Sequence, residues 1–151
     1  MLKISVDGKQ LKRDVGLVRT AKQIPLGSRV SNLQPPLRGF GHYLEQETEK
    51  QFNTETDPQG RPWAELKPST LQQKRAKGYP DDILTATGEM RSTVYSVATK
   101  RSLEFGIRDP KARWHQYGTS KMPQRQIIGI TPKRVKHGSK LIKVWILGRR
   151  R

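Results

Sequence analysis

The chain has 151 residues, about one domain by length with room for one modest core, and only 32% of them are hydrophobic at a mean hydropathy of −0.81. The absence of cysteine excludes a disulfide framework and thiolate metal sites, and no apolar run approaches the roughly 20 residues that span a bilayer. The net charge of +17 is uneven: residues 1 to 44 hold eight Lys/Arg against Asp7 and Asp14, residues 45 to 109 hold ten against eleven acids, and after Asp109 there are twelve Lys/Arg and no acid. A nearly neutral middle between two basic arms attracts phosphates or acidic protein surfaces. Charge alone does not choose between them. The amino terminus, Met1 to Val6, lacks the long apolar region and cleavage site of a signal peptide, so a cytoplasmic product is expected.

Leu2, Ile4 and Val6 alternate with Lys3 and Ser5, the pattern of a short half-buried strand ending at the Asp7-Gly8 turn signal. Leu11 to Asn32 has no sustained period and reads as an extended arm. Pro35-Pro36 then precede a stripe of Leu37, Phe40, Leu44, Thr48 and Phe52, spaced as one face of a helix, with Glu45, Glu47 and Glu49 facing away. Asp57-Pro58-Gln59-Gly60 is a turn signal, after which Trp63 plugs the loop onto the helix with Leu66 beside it. Ser69 or Thr70 is the expected cap of a short helix through Lys77 that Gly78 ends, and Thr87 the expected cap of another turn with Glu89 near its positive end. Val94 to Thr99 and Leu103 to Ile107 predict a hairpin turning at Lys100-Arg101-Ser102. Asp109-Pro110 breaks the second strand, and Ala112 to Tyr117 predicts a short helix closed by Gly118. Gln126 to Ile130 and Leu141 to Leu147 are strand candidates separated by the basic loop Lys133 to Lys140. The apolar tract Leu141 to Leu147 must be buried by the domain or by a partner, since an exposed one is an aggregation hazard.

These elements predict a single α+β domain over residues 1–151. It has a mainly antiparallel sheet, one long helix, short helices and extended basic arms at both ends. Its parts are an N-terminal strand and arm (1–33), a core (34–130) and a basic C-terminal arm with a candidate strand (131–151).

The residues give little support for catalysis. His42, His115 and His137 are the only histidines, and no pair has the i, i+4 spacing of a helical zinc site. A metal-dependent nuclease needs clustered carboxylates, whereas only Glu104 and Asp109 lie near His115, which reads as a hydrogen-bonding structural residue in a tight turn. Gly39 and Gly41 sit inside the helical stripe without the Gly-Lys-Ser/Thr of a phosphate loop. The expectation is no enzyme, no cofactor and no metal.

The ordered set Phe52, Asp57-Pro58-Gln59-Gly60, Trp63-Ala64-Glu65-Leu66, Thr70 and Lys74, then Ile83-Leu84, Thr87-Gly88, Met90 and Ser92, then Ala112, His115-Gln116, Gly118, Pro123, Arg125 and Ile128-Gly129 resembles the phage virion morphogenesis family. Its tail completion proteins are typified by the G protein of phage Mu. The likeness runs from about Leu33 to Ile130. It implies a structural virion protein of the tail or neck, made in the host cytoplasm. Such a protein forms a ring, often a hexamer, that completes or terminates the tail tube and joins it to a head connector or stopper protein, with genomic DNA passing through. Phe52, Gly60, Trp63, Leu66, Thr87, Gly88, His115, Gly118 and Pro123 are then the residues that organise the fold. Lys133, Arg134, Lys136, Lys140, Arg149, Arg150 and Arg151 are the expected contacts for an acidic ring or DNA, and no membrane is involved. The hairpin and arms would offer edges to neighbouring subunits. Deleting residues 133 to 151 is expected to leave a folded domain that cannot join heads to tails. The sequence departs from the family after Arg125, where Gln126 to Ile130 lacks the usual aromatic.

The rival reading is a basic nucleic-acid-binding module without enzymatic activity. Trp114 and Tyr117 lie among Arg113, Lys121 and Arg125, and aromatics interleaved with cations can stack bases while neutralising phosphate.

Overall fold

A computed structural model describes residues 1–8, 29 and 31–148. In chain order the elements are β1 (Leu2–Asp7), α1 (Gln34–Thr54), α2 (Pro68–Ala76), α3 (Glu89–Ser92), β2 (Val94–Ala98), β3 (Ser102–Ile107), α4 (Lys111–Tyr117) and α5 (Pro132–Leu147). The architecture is α+β, with the three strands in one antiparallel sheet of order β1-β3-β2. The middle position of β3 fits its burial, since Leu103, Phe105 and Ile107 are all enclosed. By internal contacts the chain divides into two compact units: Met1–Lys3 with Glu45–Tyr95 and Gly106–Gly129, and Ile4–Leu44 with Ser96–Phe105 and Ile130–Arg151.

The apolar stripe of α1 is buried where the spacing places it, at Leu37, Phe40, Leu44, Thr48 and Phe52. Asn32 starts the helix by accepting the Gln34 N–H at 3.1 Å, and Pro35 and Pro36 occupy the first turn, where a missing N–H costs nothing. In the second unit the helix lies close to the hairpin at Gly41. A Cβ there would stand 2.8 Å from Ser96 Cβ and 3.0 Å from Leu103 Cδ1.

In the first unit Trp63 is buried edge-on against Phe52, with ring centroids 5.7 Å apart and planes at 74°. Its Nε1 donates to the Gln126 carbonyl at 2.9 Å. Asp57 organises the turn before it by accepting the Gln59 N–H (2.8 Å), the Arg61 N–H (2.9 Å) and Arg61 Nε (2.7 Å). Burial alone would raise the Asp57 pKa, but these donors outweigh it and hold the carboxyl below its ordinary range.

Several sequence expectations are corrected. Lys67, not Ser69 or Thr70, is the N-cap of α2, with Pro68 in its first turn. Gly88, not Thr87, begins α3, because that position has φ +82°, which glycine adopts without strain. Gln126 to Ile130 forms no strand. Gln116 Oε1 accepts the Ile127 and Ile128 N–H groups at 2.8 and 3.1 Å while its Nε2 donates to the Ile128 carbonyl at 2.8 Å. Gln51 Nε2 donates to the Ile127 carbonyl at 2.9 Å. Two buried side-chain amides thus occupy the backbone groups that a neighbouring strand would use.

The largest correction is the C-terminal region. The basic loop and the strand expected after it are one helix, α5. Thr131 Oγ1 accepts the Arg134 N–H at 3.3 Å and Pro132 follows it, a start signal present in the sequence. Arg134, Gly138, Ser139, Ile142 and Ile146 form its buried face. Gly138 lies against Phe40, whose Cε1 would be 2.9 Å from an added Cβ. Trp145 Nε1 donates to the carbonyls of Arg29 and Asn32 at 3.1 and 3.0 Å. The rest of the expected N-terminal arm, residues 9–28 and 30, and the last residues 149–151 lie outside the described residues.

Candidate interaction surface

Helical geometry gives α5 two different faces. Its buried face holds Arg134, Gly138, Ser139, Ile142 and Ile146, while Lys136, Lys140 and Lys143, spaced i, i+4 and i+7, share an exposed stripe. With Ile130, Val135 and Ser139 they line an open cleft of about 740 Å³. None of the three lysines pairs with another described residue. Ser139 Oγ is enclosed at the cleft without a hydrogen-bond partner. Lys133 is exposed nearby. Arg134 is not available to a partner: it is only 2% exposed, on the inner face of the helix. Arg149, Arg150 and Arg151 lie outside the described residues. Lys143, Val135 and Ser139 went unnoticed in the sequence because the region reads there as loop and strand. The Thr131-Pro132 cap and the lysine spacing were the signals that could have found them.

A second surface feature belongs to α4. Ala112 and Gln116 point inward, leaving Trp114 and Tyr117 on the outer face, 54% and 67% exposed. Arg113 and Lys121 are exposed around them. Arg125 is turned away from this group. It is buried, with Nε donating to the Ala64 carbonyl at 2.7 Å and Nη2 to the Glu65 carbonyl at 2.9 Å, so it fastens the loop after Trp63.

The same unit has a smaller cleft of about 210 Å³, bordered by Leu84, Gly88, Met90, Asp109, Lys111 and His115. His115 lies within α4, not in a tight turn, and its carbonyl accepts the Arg125 N–H at 2.7 Å. Its Nδ1 is enclosed without a partner. Burial, then the nearby Arg125 charge, lower its pKa, with Asp109 opposing them. Among the fold-organising candidates, Phe52 and Trp63 are buried, Leu66, Gly88, His115 and Gly118 half-buried, and Gly60, Thr87 and Pro123 exposed. Gly60 and Gly118 have φ of +85° and +71°, conformations that their turns require. The buried amides of Gln51 and Gln116 were not singled out from sequence, where they look like any surface glutamine.

Among the described residues no group of three or more His, Asp or Glu is placed to hold a metal ion, and no helix is long and apolar enough to cross a membrane. The distinctive chemistry of this α+β chain lies on its surfaces, in unpaired cations beside apolar side chains and in exposed aromatics, which is the equipment of a protein that acts by contact. The chain belongs to the phage virion morphogenesis family, which it matches over residues 15–145. It is therefore a protein of virion assembly, whose partners include other virion proteins. Comparisons with curated proteins and with solved structures found no match.

Proposed function

We propose that this protein is a noncatalytic structural subunit of the phage tail end, assembling into a ring, most simply a hexamer, that completes or terminates the tail tube and joins it to the head connector or stopper. The observation that carries this reading is the unpaired lysine stripe of α5 on a member of a virion-assembly family. A cationic face with no counter-charge among the described residues invites an acidic partner. Strand β2 adds support, because it is at the edge of the described sheet with Val97 51% exposed, and an open edge can pair with a neighbouring subunit. Residues near the ring's opening would meet genomic DNA in passage.

Sedimentation of the purified protein, alone and with tail tubes, tests the reading. A hexameric mass or recruitment to tube ends supports it. A monomer that binds duplex DNA with an affinity falling steeply with salt overturns it in favour of the nucleic-acid module. That second reading has an observation of its own in Trp114 and Tyr117, exposed beside Arg113 and Lys121.

A further inference from the structure

The geometry points to the α5 cleft as a binding site for an acidic amphipathic helix of a partner protein, with carboxylates meeting Lys136, Lys140 and Lys143 and apolar side chains covering Ile130 and Val135. It rests on the reading of the chain as an assembly subunit and names the chemistry of the partner.

The cleft's composition selects the occupant. Its three cations lie on one stripe and, at a rise of about 1.5 Å per residue, span about 10.5 Å along the axis. A helix carrying Glu or Asp at i, i+4 and i+7 repeats that span, so three charge pairs form without bending either helix. Beside the stripe the cleft is apolar, at Ile130 and Val135, which suits the hydrophobic face of such a helix. Ser139 Oγ is enclosed at the cleft without a hydrogen-bond partner.

The other occupants fit less well. A nucleic acid would satisfy the lysines, but the apolar lining has nothing to meet on a sugar-phosphate backbone, and no aromatic side chain lines the cleft for a base to stack on. A second copy would need free acids. No three acids in this sequence stand at i, i+4 and i+7 to match the lysine stripe, and Glu49, Asp57, Asp81 and Glu89 already pair with Arg91, Arg61, Arg75 and Lys111.

The test uses the full chain and fluorescence anisotropy. One probe is a labelled helical peptide about 18 residues long, with Glu at i, i+4 and i+7 and Leu on the adjoining face. Comparison probes are the same peptide with Gln for Glu and a DNA duplex of about 20 base pairs. The Glu peptide is expected to bind. Affinity should fall roughly ten-fold or more in Lys136→Glu/Lys140→Glu/Lys143→Glu. It should also fall in Val135→Ser, which keeps every cation, and with the Gln peptide. The three lysines are exposed, so the triple variant should retain the wild-type thermal midpoint, and a single Lys140→Glu change provides a milder check. The proposal is overturned if the Glu peptide does not bind, or binds the triple variant as well as wild type. It is also overturned if only the duplex binds and loses affinity in the triple variant. Self-association of the wild type that Val135→Ser abolishes would make the occupant a second copy, and overturn it too. Peptide binding without rings or tube-end attachment would support the cleft and count against the tail-end reading alone.

Discussion

Burial, then the Arg125 charge, lower the pKa of His115 against the opposing pull of Asp109, and that has a consequence for pH. Its folded pKa lies below the ordinary imidazole value of 6.5, so the unfolded chain takes up a proton before the fold does. The stability His115 contributes is complete above that value and is lost as pH falls from it toward the folded pKa. Thermal midpoints of wild type and His115→Asn should therefore converge or cross on acidification from about pH 8 to about pH 5; parallel curves would contradict the sign. Gln116 bridges two residues of the 126–130 segment through three hydrogen bonds, and Gln116→Leu leaves those backbone groups without their partner. A loss of about 3 kcal/mol is expected in urea unfolding. Ser139 makes the opposite case, because its enclosed Oγ is unsatisfied. Ser139→Ala removes that defect and should raise stability by about 1 kcal/mol, read from the same unfolding curves.

At the scale of elements, α5 decides how the C-terminal region is to be tested. Ile142 and Ile146 are buried and Gly138 lies against Phe40, so the helix is part of its unit's core. Deleting residues 133 to 151 should abolish the cooperative unfolding of that unit, contrary to the folded domain expected from sequence. A proteolysis-resistant truncated protein with an unchanged thermal midpoint would refute this. The long helix was legible because Leu37, Phe40, Leu44, Thr48 and Phe52 keep a strict helical spacing, and the hairpin because Leu103, Phe105 and Ile107 alternate. In α5 the doublets Leu141-Ile142 and Ile146-Leu147 conceal the period, since each pairs a more buried residue with a more exposed one. Short apolar runs do not distinguish strand from helix. The cleft was half legible: Lys136 and Lys140 were among the expected contacts, but Arg134 was grouped with them because charge says nothing about which helix face a residue occupies.

For the whole molecule, the edge of β2 in the described sheet and the lysine stripe of α5 are separate candidate contact surfaces, and they can be separated experimentally. A charge on an edge strand discourages pairing with another chain. Val97→Lys should therefore reduce a ring to smaller species in sedimentation while changing the stability of the separated subunit by no more than about 0.5 kcal/mol, because the side chain is exposed. An intact ring would exclude β2 as a subunit contact. A different kind of consequence follows from the glutamine amides that clasp residues 127 and 128. Gln-Ile-Ile-Gly-Ile is the sort of uncharged, β-prone stretch through which unassembled subunits stick to one another in a crowded pool. With Ile127 and Ile128 already held by Gln51 and Gln116, this stretch can recruit another chain only after that clasp opens. The two amides thus keep this stretch from templating another chain while the subunit stays folded.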